Sequence, residues 1–138
     1  MIKQNLDILL EKIEIASVKA GKQSGDIILI AVSKQHPEEE IREAVSLGLK
    51  HFGENRAREM QNKASIIKGG LYWHFIGNLQ TNKVKYLIDS AEYIHSVESK
   101  TLADEIDKRA SGCGKIQKVL LEFKTSYEES KAGLGNED

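Results

Sequence analysis

A lysine closes the most apolar run in the chain: residues 27–32, IILIAV, are followed by Ser33 and Lys34. An amine in that place has two uses. It can mark where the chain reaches water, the ordinary fate of a lysine, or it can stand at the lip of a pocket as a nucleophile for a carbonyl. The second use needs a neutral amine, and a free lysine, with a pKa of about 10.4, is almost wholly protonated at neutral pH. Burial beside apolar groups disfavours the charged form and exposes the lone pair. Six apolar residues upstream of Lys34 are of the kind to supply that environment.

Histidine is the next source of chemistry, at His36, His51, His74 and His95. No two of them form an HxxxH pair, and the single Cys113 cannot complete a common zinc set, so no metal site is expected. His74, between Trp73 and Phe75, reads either as a hydrogen-bonded core histidine or as the wall of a pocket. His95 and Ser96 are neighbours in a strand and therefore face opposite sides, so only one can turn toward a given pocket. The spacing permits a Ser-His-Asp triad, but no GxSxG elbow supports it. Cys113, between two glycines, reads as an incidental loop thiol.

These residues need elements to hold them. Ile2, Leu6, Leu9, Leu10 and Ile13 follow the spacing of an amphipathic helix ending near Gly21. The apolar run before Lys34 reads as a strand buried on both faces. Pro37 followed by three glutamates is a helix start, with proline at the first helical position and acids at the positive end of the dipole. The unit then recurs. HFGE (51–54) is a strand, followed by a helix with Ala57, Met60, Ala64 and Ile67 on one side. YWHFIG (72–77) is a strand, followed by a helix carrying Val84, Leu87 and Ile88. YIHSV (93–97) precedes a helix from about Ser99 with Leu102, Ala103 and Ile106, and KVLLEF (118–123) is a fifth strand. Such alternation argues for a parallel sheet of right-handed βαβ units. The last fifteen residues are polar and aperiodic, and read as a loop and a frayed end.

An open doubly wound sheet and a piece of a (β/α) barrel both accept this pattern. Neither GxGxxG after the first strand nor GxxxxGK[ST] is present to favour the first. Polar chemistry instead falls just after the strands, at Lys34, Glu54–Asn55, Gly77–Asn78 and Ser96, on the edge where ligands sit in either architecture.

Composition narrows the function classes. The 138 residues and 40% hydrophobic content suit one compact domain. Twenty basic residues balance twenty-one acidic ones, so the basic footprint of a nucleic-acid partner is missing. No apolar run approaches the roughly 20 residues needed to cross a bilayer, and the acid-bearing N-terminus does not read as a signal peptide. A single cysteine cannot form an internal disulfide. A soluble cytoplasmic protein is expected.

The segments LIAVSK, HFGEN, WHFIGNLQTNK, IHSV and TSYEESKAG occur in this order, each at or after an expected strand. Together they resemble the pyridoxal phosphate homeostasis family (YggS/PROSC type), relatives of the alanine racemase N-terminal barrel. The resemblance runs from the first helix to about Gly133. It implies an α/β fold, a TIM-type (β/α) barrel of the fold-type III pyridoxal phosphate class. It implies pyridoxal 5'-phosphate as cofactor, carried by Lys34 as a lysine imine, with Asn55, His74 and Ser96 lining the cofactor end. It also implies a role in vitamin B6 homeostasis without established catalysis. The alternatives are a racemase-like enzyme acting on amino acids and a non-binding fragment or interaction subunit. A carrier needs only a reversible covalent bond, whereas catalysis needs a second acid or base over the substrate carbon.

The chain departs from that pattern in length. A complete barrel takes about 200 residues or more, and five strands are expected here, so residues 1–138 read as the N-terminal portion of one barrel domain. SKAGLG (130–135) has glycines but no following helix to hold a phosphate, and Glu122–Phe123–Lys124 replaces a glutamine–valine–asparagine-like segment. The expected consequences are weakened cofactor binding and an open edge that invites self-association.

Overall fold

The computed structural model describes residues 1–125 and 133–135. In chain order the elements are α1 (Ile2–Lys19), β1 (Ala31–Val32), α2 (Glu38–Ser46), β2 (His51–Glu54), α3 (Ala57–Ile66), β3 (Tyr72–Phe75), a 3-10 segment (Thr81–Tyr86), β4 (Ala91–Val97), α4 (Lys100–Gly112) and β5 (Lys118–Leu121). A shorter 3-10 turn (Ser24–Asp26) precedes β1.

The five strands form one parallel sheet in the order β1-β2-β3-β4-β5. Each crossover therefore leads to the next neighbour, and right-handed crossovers that never reverse place every connection on the same side. One face is covered by helices; the other is the concave inside of an arc. A doubly wound sheet would reverse its order at a switch point. No reversal occurs among these strands, which settles the architecture as a partial (β/α) barrel.

Strand alternation sorts the side chains of β2 and β3. Phe52, Trp73 and Phe75, with Ile94 and Val97 of β4, where the register shifts, join Ile41, Met60, Leu87, Leu102 and Ile106 in the core between sheet and helices. The register pairs Ala31 with Phe52 and Phe52 with Trp73. The helices begin and end as their sequences require. Ser99 accepts the Leu102 N–H and caps α4. The first, second and fourth helices each end on a left-handed glycine, Gly21, Gly48 and Gly114. The two backbone bonds that close this kind of stop are present in each, for example Gly48 N–H to Val45 O and Leu49 N–H to Ala44 O.

Several elements differ from the sequence reading. The apolar run 27–32 pairs as a strand only at Ala31 and Val32. As an edge strand β1 has a ladder on one side, so Ile27, Ile28 and Val32 remain exposed. Pro37 is the residue before the first helical turn rather than within it. The segment around Val84, Leu87 and Ile88 buries all three side chains as expected, but winds as a 3-10 segment. Asn78, Thr81 and Asn82 favour turns, and what remains is too short to nucleate an α-helix. In α1 only Leu6 of the expected stripe is fully buried, while Leu9 and Leu10 are exposed.

Of the tail expected as a loop, residues 126–132 and 136–138 lie outside the described residues, and with them most of TSYEESKAG and half of SKAGLG. Residues 133–135 run beside 122–124: Leu134 N–H donates to Glu122 O and Lys124 N–H to Leu134 O. The free backbone edge beyond β5 provides those partners. No helix among the described residues is long and apolar enough to cross a membrane.

Candidate functional site

The strand ends bring the sequence-expected residues to one edge of the sheet. Lys34 lies in the turn that follows β1, with its side chain exposed. Among the described residues no hydrogen bond or ion pair engages its amine. The apolar enclosure anticipated for it is not formed, because Ile28 and Val32 are 56% and 50% exposed. What surrounds the lysine backbone is polar. Ser33 N–H donates to Gly53 O, and Ser33 Oγ donates to Glu54 Oε1 at 2.7 Å. Lys63 Nζ donates to Ser33 O at 2.7 Å, to Glu54 Oε1 at 2.7 Å and to Glu59 Oε1 at 2.8 Å. Glu59 Oε1 also accepts the Gln35 N–H at 3.0 Å.

This cluster is deep. Glu54 is fully buried and Lys63 is 8% exposed. Burial alone would lower the pKa of Lys63, but hydrogen bonds and charge from Glu54 and Glu59 outweigh it and hold the value above the ordinary lysine range. The hydrogen bond from Lys63 in turn pulls Glu59 below the ordinary carboxylate value. Sequence reading placed Glu54 at the polar edge without giving it a role and did not single out Lys63. The available signals were an acid directly following Phe52–Gly53 in a short strand and a Glu59–Lys63 pair at helical i,i+4 spacing.

Asn55 follows β2 with its side chain exposed. Its backbone touches the turn after β3 so closely that a Cβ on Gly77 would lie 2.4 Å from Asn55 O. Only glycine fits there. Ser96 is buried, and its Oγ donates to Gly77 O. Asn55, Gly77 and Ser96 thus join the ends of β2, β3 and β4.

The concave face carries a different construction. His51 Nδ1 and His74 Nε2 are 2.9 Å apart, as are His74 Nδ1 and His95 Nε2. His51 stacks on Tyr72 and His74 on Tyr93. A neutral imidazole has one N–H, so a neutral His74 donates to one neighbour and accepts from the other. Desolvation, followed by the neighbouring His95 and His51, lowers the pKa of His74 to about 4, with Glu92 opposing. Burial likewise lowers His51 and His95. Sequence reading selected His74 and Ser96; the structure brings His74 together with His95 and ties Ser96 to backbone. Among the described residues no group of three or more His, Cys, Asp and Glu is arranged to hold a metal ion.

A parallel barrel arc with a lysine beyond its first strand and a histidine-lined concave face defines the class, and comparison with known proteins is specific. The chain is 45% identical over 136 residues to the pyridoxal phosphate homeostasis protein of Aquifex aeolicus, an alignment covering 98% of the chain and 60% of that protein. A solved structure of PipY from Synechococcus elongatus with pyridoxal phosphate bound matches with a TM-score of 0.74 and 37% identity, over 88% of this chain and 56% of that one. The crystal structure of an unknown protein from Bifidobacterium adolescentis matches with a TM-score of 0.84 and 32% identity, over 96% and 58%. No family model matches the chain. By these likenesses the chain is similar over nearly its whole length to the pyridoxal phosphate homeostasis proteins, and it spans about 60% of the length of the curated relatives it matches.

Proposed function

We propose that this chain, as the N-terminal portion of one barrel domain, binds pyridoxal 5'-phosphate at the C-terminal edge of its sheet and serves cytoplasmic vitamin B6 homeostasis as a carrier. Lys34 is the residue that holds the cofactor covalently; Asn55, His74 and Ser96 line the same end. The cofactor supplies an aldehyde that a primary amine can hold reversibly. The described residues fit that aldehyde end. Lys34 presents an uncommitted amine on a turn anchored from both sides. Behind the strands, His74 offers an uncharged ring at neutral pH. The observation that carries the reading is this exposed Lys34 in a chain 37% identical to a structure with pyridoxal phosphate bound. A carrier requires one such amine, whereas racemisation requires a second acid–base group over the substrate carbon; the relatives are named as homeostasis proteins.

The test is intact mass after incubation with pyridoxal phosphate and borohydride reduction, beside Lys34→Ala. One reduced adduct on the wild type, absent from the variant, is expected. Equal labelling of both proteins, or none, would defeat the reading. Exposed apolar side chains on β1 and β5, including Val32 and Leu121, support pairing between copies as part of it. Running the same samples through gel filtration tests that point, and a single monomeric peak would end it.

A further inference from the structure

We propose that Lys63, Glu54 and Glu59 form a positioning device for Lys34: a buried ion cluster that fixes the backbone on both sides of the amine and leaves the side chain free. The inference rests on the cofactor reading above and assigns these three residues a part in it. Bonds to other elements hold Ser33 through its N–H, its carbonyl and its hydroxyl, and the His36 N–H closes the turn on the same carbonyl at 3.1 Å. One holds the Gln35 N–H. Apart from the contacts of Ser33 with Gly53 O in the sheet and the turn's own His36–Ser33 bond, these converge on the Lys63 ammonium and the carboxyl groups of Glu54 and Glu59. Lys34 is the residue between.

The turn needs such a hold. The sheet contributes little, since β1 is two residues long and paired on one side only. Gln35 has φ +64°, a left-handed conformation that is costly for a residue with a side chain and persists only where its surroundings fix it. A packing role would not call for a lysine: apolar residues of similar volume usually stabilise a core as well as a buried ion pair does. An ammonium with three donors, however, can gather acceptors from the end of β1, the end of β2 and α3 at once, and Lys63 does so.

The benefit to the chemistry is one of placement. After giving up its proton to water, Lys34 Nζ adds to an aldehyde carbon; the carbonyl oxygen leaves as water with the two remaining amine protons, and a C=N bond replaces C=O. A fixed Cα limits the volume that Nζ must search, and misplacement by about 1 Å can cost a factor of up to about a hundred.

The experiment measures the rate of borohydride-trapped pyridoxal phosphate adduct at Lys34 by peptide mapping, with folding followed by circular dichroism. Glu59→Ala removes the hold on Gln35 at a partly exposed side chain, while Glu59→Gln keeps an acceptor for that N–H. The double variant Glu54→Gln/Lys63→Met removes both buried charges together. About a tenfold slowing at Lys34 is expected in the double variant and a smaller one in Glu59→Ala. Glu59→Gln should restore the rate, and labelling at other lysines should not change. Should the double variant fail to fold, the Glu59→Ala and Glu59→Gln pair decides alone. Wild-type rates at Lys34 in folded variants, or equal slowing by Glu59→Ala and Glu59→Gln, would overturn the positioning role and leave the cofactor reading standing. Absence of a Lys34 adduct in the wild type would overturn that reading and this inference with it.

Discussion

Two polar constructions are buried on opposite sides of the same strands, and they solve the problem in different ways. On the helix side, Glu54 at the end of β2 meets Lys63 and Glu59 in a charged cluster. On the concave side, His51 at the start of β2 begins a row of three rings that burial keeps uncharged at neutral pH. The charged cluster satisfies acceptors from three chain segments and so fixes a backbone. The rings satisfy one another and present flat, neutral faces against Tyr72 and Tyr93. Charge is retained where a turn must be held, and is suppressed where a surface faces the open side of the arc.

The largest effect should come from breaking the charged side unevenly. Lys63→Met leaves fully buried Glu54 with Ser33 Oγ as its one remaining donor among the described contacts. Removing one member of a buried pair costs about 3–5 kcal/mol, whereas replacing both is near neutral. Urea unfolding at pH 7 should therefore show Lys63→Met as the less stable protein and Glu54→Gln/Lys63→Met recovering most of the loss. Equal stability of the single and double variants would show that charge does not distinguish the cluster from the histidine row.

The histidine row should respond to acid. The folded pKa of His74, about 4, lies below its unfolded value of 6.5, so between the two the unfolded chain binds more protons. Stability from this burial is complete above pH 6.5 and is lost as pH falls toward 4, by up to about 3 kcal/mol. Lowered values at His51 and His95 act in the same direction. Above about pH 5 Lys63 and Glu59 add nothing to this fall, because Lys63 is shifted upward and Glu59 downward from 4.5. Urea midpoints from pH 7 to 4.5 should fall more steeply for the wild type than for His74→Gln. Parallel slopes would remove the electrostatic difference between the two regions.

How legible these regions were in the sequence follows from how local their information is. HFGE appears as β2 with the bounds its pattern suggested, and the Val84–Leu87–Ile88 stripe is buried although its winding is tighter. Lys34, Asn55 and Ser96 fall at strand ends, as alternation of elements required. Lys63 was missed because a Glu59–Lys63 pair looks like any surface i,i+4 pair until topology carries Ser33, thirty residues earlier, onto it. His95 was set aside because strand alternation separates it from Ser96 but does not say which of the two meets His74. Cross-strand register decides that, and in the pairing of β3 with β4 the register shifts between Trp73 and His74. The apolar run before Lys34 misled for a related reason: its composition marks it as buried, but burial depends on what lies beyond an edge strand.

Ser96→Ala is the smallest perturbation and serves to sharpen the contrast. The Ser96 hydroxyl donates to Gly77 O, and Gly77 packs directly against the Asn55 backbone. The bond involves neither a charge nor an imidazole, so nothing in it titrates across the range where the histidine row does. Losing it should cost about 1 kcal/mol, the usual net value of a neutral hydrogen bond, and urea unfolding should show the same loss at pH 5 and pH 7. A loss that grew in acid would mean that the strand-end tie and the histidine row are coupled through β4, which carries both His95 and Ser96. Constancy would identify a third kind of polar contact, one that joins strand ends without responding to protons.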